Sequence, residues 1–211
     1  MTDIWPVIHT ERQALADDLQ NLDEQQWQAP SLCTRWTAHD VLAHMLATAK
    51  MTPPQFFLGF AGTGFNFDKF ADKNIKREGA GGPQATLTAF RAAQNRTSAP
   101  PGPKDTWLGE TLVHSEDIRR PLGIKHEYPL PFVTRVIRLY ARSNALIGGR
   151  NRVAGLTLRA TDTDFSLGSG PLVEGPAVAL MLATAGRESA LSQLTGEGLP
   201  TLNERSGGAA R

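Results

Sequence analysis

The chain has 211 residues, 40% hydrophobic and 20% charged, with a net charge of +1. That is ordinary for a soluble globular protein and long enough for one large domain, or a main domain with a smaller one. Near-neutral charge without a run of Lys and Arg excludes a general affinity for nucleic acid or an anionic membrane. The single cysteine, Cys33, excludes an internal disulfide and a cysteine-built zinc site. No apolar run is long enough to span a membrane. The start, Met1 to Pro6, lacks the basic and then apolar segments of a secretory signal, so a cytoplasmic location is expected.

Residues 3–22 read as a first helix. Ile4, Ile8, Leu15, Leu19 and Leu22 form an apolar stripe broken by Glu11, while Glu11, Arg12, Asp17, Asp18 and Gln20 supply polar faces. His9 is expected at the surface or the edge of the core. Residues 23–30 are turn-like, and 31–36 form a connector in which Cys33 reads as a small buried hydrophobe. Thr37 and Asp40 make a capping-box variant that opens a second helix. Val41, His44, Met45 and Thr48 share one face of it, which turns His44 inward and leaves His39 exposed.

Pro53 and Pro54 interrupt the pattern. An apolar segment, Phe56 to Phe60, ends at Ala61 to Gly64, and Phe65, Phe67 and Phe70 are expected to wall the interior or line a pocket. The glycines here lack the Lys and Ser/Thr of a phosphate loop. Gly79 to Gly82 is a break, and Pro83 starts a third helix running to about Arg96 with Leu87, Phe90 and Ala93 buried. After the stiff loop 98–103, Thr106 is read as the cap of a fourth helix, 107–119, closed by Arg119, Arg120, Pro121 and Gly123. Pro131 to Leu146 reads as amphipathic helix, with Phe132, Val136, Leu139 and Ala145 or Leu146 inward, and Gly148 to Asn151 as a boundary. Beyond it, Leu156, Leu158 and Ala160, then Phe165 and Leu167, alternate with polar residues around the turn 161–164, which predicts a hairpin. An apolar, buried helix follows from Ala177 to about Ala185, then a short one from Ser189 to Leu194. The tail from Ser206 is expected to be disordered.

The fourth helix carries the chemistry. Glu110 and His114 stand one turn apart on one face, which continues through Trp107 and Ile118. A carboxylate and an imidazole so stacked can bind one metal ion from a single rigid element, or form a Glu–His pair that merely supports the helix. On a core-facing stripe both groups need a partner, because burying them unpaired is costly.

Three motifs taken together, Leu32-Cys33-x-x-Trp36-x-x-x-Asp40-Val41-x-x-His44, Gly109-Glu110-x-x-x-His114-x-x-Asp117 and Gly170-Pro171-x-x-x-Gly175-Pro176-Ala177, resemble the mycothiol-dependent maleylpyruvate isomerase family, among the DinB-like metal-dependent thiol enzymes. The resemblance runs over nearly the whole chain. It implies an α+β protein: a DinB-like four-helix bundle over residues 1–148, a small C-terminal α/β (sterol-carrier-like) domain over 149–205, and a tail over 206–211.

The resemblance also implies a divalent metal, usually zinc, held by His44, Glu110 and His114, and mycothiol as thiol cosubstrate. Arg187 is the nearest match to an arginine that helps bind substrate in some relatives, or else a cation closing a helix. Asp40 and Asp117 are candidates to orient the histidines, against helix capping and solvent exposure respectively. An open position on such a metal would suit an isomerase or S-transferase acting on a small electrophile. A non-catalytic metal-binding or sensor protein and a metal-dependent hydrolase are the alternatives. The expected partners are small molecules only, and the expected state is a monomer or homodimer.

Overall fold

The computed structural model describes residues 3–145 and 147–206. Of the tail expected from Ser206, only Ser206 lies within them, buried at the end of a helix, and Leu146 lies outside them. The chain divides into two units, Met1–Lys125 and His126–Arg211.

The first unit contains α1 (Trp5–Asp18), α2 (Glu24–Trp27), α3 (Ala38–Lys50), α4 (Pro53–Ala61), α5 (Phe67–Gly79), α6 (Pro83–Ala93) and α7 (Asp105–Arg119). Helices α1, α3, α6 and α7 form the bundle: α1 packs on α6 and α7, and α3 on the same two. Leu15, Leu19, Val41, Leu42, Leu46, Phe90 and Ile118 fill its core. The cap predicted at Thr37 is present, its side chain accepting from the Asp40 amide while the Asp40 carboxylate accepts from the Thr37 amide. Asp40 is therefore a capping residue. Asp23 and Gln26 make a second reciprocal cap in a stretch read as a turn, and it starts α2.

Several expectations are corrected. α1 buries Glu11 and Arg12, which were read as polar-face residues; both lie on the inward side between Ile8 and Leu15. α7 begins at Asp105, with Lys104 rather than Thr106 at the cap position and no side-chain cap bond. His39 is half-buried, within 2.9 Å of the Thr86 hydroxyl, not exposed. Residues 67–79 are a helix, capped by Asn66 and buried along Phe70, Asn74 and Ile75. Phe70 is interior as expected, but Phe65 and Phe67 face solvent.

The second unit contains α8 (Leu130–Tyr140), α9 (Gly149–Val153), β1 (Thr157–Ala160), β2 (Ser166–Gly168), β3 (Leu172–Gly175), α10 (Ala177–Thr184), a 3-10 turn (Glu188–Gln193) and α11 (Leu199–Ser206). The hairpin is present: β1 and β2 pair antiparallel with Leu158 opposite Leu167. β3, in a stretch read as a lead-in, adds parallel to β1, giving the order β2-β1-β3. The apolar helix α10 is buried almost throughout and packs on α8. That contact is why α8, assigned from the sequence to the bundle, falls in the second unit. The molecule is thus α+β, a helical bundle with a small unit around a three-stranded sheet.

Candidate metal and thiol site

The connector before α3 folds back on itself. The Ser31 hydroxyl donates to the Trp36 carbonyl at 2.7 Å and the Trp36 amide to the Cys33 carbonyl at 2.9 Å. The Leu32 amide donates to the Asp117 carbonyl at 3.1 Å, tying this turn to α7. The same fold that caps α3 thereby sets Cys33 and Trp36 against His44 and His114.

His44 from α3 and His114 from α7 stand edge to face, ring centroids 5.0 Å apart. Trp36 lies beside both, at 4.9 Å from His44 and 6.3 Å from His114. His114 Nδ1 is 2.8 Å from Asp117 Oδ2, and Cys33 Sγ donates to that same oxygen at 3.1 Å. Asp117 is fully buried rather than solvent-exposed. With Nδ1 held by the carboxylate, Nε2 is the His114 nitrogen open to a metal ion once it gives up its proton.

The two imidazoles differ in charge. Burial strips hydration from His44, and the neighbouring His114 adds repulsion; despite a pull from Asp117 its pKa falls to about 3, so it is neutral at pH 7. Burial also opposes charge on His114, but hydrogen bonds with Asp117 and Cys33 and the negative charge of Asp117 outweigh it and raise the pKa to about 10. The His44 ring has no hydrogen-bond partner among the described residues. Glu110 is held above the usual carboxylate range by burial, offset in part by the charges of His114 and Arg12 and by a hydrogen bond with Thr48. Arg12, buried on α1, donates to the Arg96 carbonyl at 3.1 Å.

The three predicted ligands thus share one neighbourhood: the two imidazoles meet ring to ring, and Glu110 lies where it interacts with His114. They are not the most tightly drawn group. Among the described residues, the set whose ligand atoms all lie within 4.8 Å of one another is Cys33, His114 and Asp117. Sequence reasoning gave Cys33 no part in the site and missed Arg12. The signal for Arg12 was its place between Ile8 and Leu15 on the apolar side of α1. Arg187 lies in the second unit, where its Nη1 donates to the Ala185 carbonyl at 2.9 Å.

A four-helix bundle with two inward histidines on different helices, one backed by a carboxylate, defines a class of proteins competent to bind a metal from the bundle interior. Residues 8–119 match the sequence model described as mycothiol maleylpyruvate isomerase N-terminal domain, and the chain belongs to that family. Two solved structures share the DinB-like fold: a mycothiol-dependent maleylpyruvate isomerase at 15% identity and a histidine-to-alanine variant of that enzyme at 14%. Each aligns with a TM-score of 0.63 over 92% of this chain and 91% of the other. No curated protein matches by sequence.

Proposed function

We propose that this chain is a metal-dependent, mycothiol-using isomerase or S-transferase acting on a small electrophile in the cytoplasm. Its ligands are His44, Glu110 and His114. One observation carries the reading: His44 is half-buried, neutral and without a hydrogen bond to its ring, beside an imidazole whose Nδ1 is already engaged by Asp117. Membership of a family named for a mycothiol-dependent isomerase supports the choice of thiol.

A divalent ion of zinc type, held there, supplies the positive charge that keeps a thiol ionised at neutral pH. The protein residues do the rest. Asp117 fixes the tautomer and ring orientation of His114. Arg12 supplies a buried positive charge that favours the ionised form of Glu110. Trp36 covers one side of both imidazoles and limits water there. His114 and Asp117 keep their own proton between them and need not exchange it with substrate.

The tight cluster of Cys33, His114 and Asp117 is the competing ligand set. An ion held by these residues would compete with the His114–Asp117 hydrogen bond for their ligand atoms. Elemental analysis of His44→Ala and Cys33→Ser separates the two. The proposal expects His44→Ala to lose its metal and Cys33→Ser to keep it; the reverse assigns the ion to the Cys33 set. A cobalt-loaded sample should change its visible spectrum on addition of mycothiol. An unchanged spectrum leaves the hydrolase and the non-catalytic sensor.

A further inference from the structure

The chain from Met51 to Phe67 carries no charged residue. It forms α4 and the turn after it, and α4 has no buried residue. Phe57, Leu58, Phe65 and Phe67 are 60%, 77%, 71% and 50% exposed. Apolar side chains gathered this way on one surface mark an interaction site more often than not.

The patch is rigidly mounted. Phe56 and Phe60 stack at 5.5 Å, Phe60 meets Phe67 at 4.3 Å, and Phe56 meets buried Phe70 at 5.5 Å. Gly59 lets α4 sit this close to α5, since a Cβ there would come within 2.7 Å of the Phe70 ring. Phe65 has φ of 59°, and among the described residues it is the one non-glycine residue with positive φ. A bulky side chain in that region is strained. Here the strained residue keeps its ring mostly in solvent, where within the folded unit it meets the edge of the Phe60 ring at 5.5 Å.

We infer that this surface is the interface through which two copies of the chain associate across a two-fold axis. A face without charge does not repel its own copy, which an isologous contact requires. Its border alternates in sign. Asp68 and Asp72 lie 3.5 and 3.6 Å from Arg35, all three remaining exposed enough to reach a second partner. Lys69 and Lys73, on the next positions of the α5 surface, have no ion pair among the described residues. Set against itself, such a border pairs Lys with Asp crosswise, whereas an anionic membrane would meet as many aspartates as lysines. The four exposed side chains offer on the order of 500 Å², at about 150–250 Å² per aromatic side chain. Doubled, that is about 1,000 Å², the lower bound for a specific interface.

The test is sedimentation velocity of the full chain over a concentration series, with reductant present to prevent disulfides through Cys33. The wild type is expected to show a concentration-dependent dimer. Leu58→Asp, which alters a solvent-facing side chain, is expected to weaken association about 30-fold or more, with an unchanged circular dichroism spectrum and metal content. Phe65→Gly relieves the backbone strain, so it is expected to weaken the dimer without lowering the melting temperature of the monomer. A wild type that stays monomeric at all concentrations, or a dimer that both variants leave intact, overturns the inference. So does a monomer that co-floats with phosphatidylglycerol vesicles through this patch, which would make a membrane its occupant. None of these outcomes bears on the metal site.

Discussion

His114 and Asp117, three residues apart on α7, are joined through Nδ1 and Oδ2 at 2.8 Å, with the carboxylate fully buried. The link decides which face of the imidazole is open. Asp117→Asn should keep the shape of the site but weaken this hold, lowering metal affinity roughly 10–100-fold. Titration with zinc against a competing chelator measures it. An unchanged affinity would mean that the carboxylate does not orient His114.

The opposite displacements of His44 and His114 give a signed pH dependence in the metal-free protein. His114 is raised to about 10, so its contribution to stability is complete below about 6.5 and is lost as pH climbs through about 10. His44 is lowered to about 3. The unfolded chain therefore takes up its proton first, and this group destabilises the fold progressively as pH drops below about 6.5. Chemical denaturation of the metal-free protein at pH 5, 7 and 10 should show stability falling at both ends. Zinc binding at pH 7.5 should also release about one proton from His114 and none from His44. Calorimetry in buffers of different ionisation enthalpy counts it.

The periodic parts of this fold were legible in the sequence. The Thr37–Asp40 cap, the Glu110–His114 spacing and the alternation around 161–164 are local patterns with local causes. The parts that were not depend on tertiary contact. Arg12 reads as a surface arginine until Glu110 on another helix is seen to sit near it, and β3 is too short to announce itself before β1 lies alongside. Phe65 and Phe67 were expected inside because phenylalanine usually is; nothing local tells a core aromatic from one held out to solvent. For the site, inward placement of His44 followed from helix phase. The contact of Cys33 with Asp117 follows from a loop fold that phase cannot supply.

Arg119 is the most deeply buried cation of the bundle, and its partner Asp18 comes from the end of α1. Nε donates to Asp18 Oδ2 at 2.7 Å, and Nη2 lies 2.7 Å from the same oxygen. Asp18→Ala leaves a guanidinium in the core with this partner removed. Asp18 is itself partly exposed, so the cost falls below that of a fully buried pair, at about 2–3 kcal/mol. Arg119→Met replaces the charge with an apolar chain of similar length and should cost less. Urea denaturation of the two variants tests the order, and a smaller loss for Asp18→Ala would contradict it.

Arg12 links stability to the site more directly. It is buried on α1, donates to the Arg96 carbonyl at 3.1 Å, and supplies positive charge near Glu110. Arg12→Met fills much of the same volume but removes both effects. Arg96 is exposed, so water can take over its carbonyl, and loss of this hydrogen bond should cost about 1 kcal/mol. Without the guanidinium, the Glu110 pKa should rise further above its ordinary value, because burial already disfavours the carboxylate. Proton and metal then compete for Glu110 at higher pH, so the midpoint of metal binding against pH should shift upward in Arg12→Met. Arg12→Lys keeps the charge and should restore the midpoint even where it does not restore stability. If both variants bind zinc with the wild-type pH profile, Arg12 stabilises the bundle alone, and Glu110 owes its ionisation to His114 and the metal.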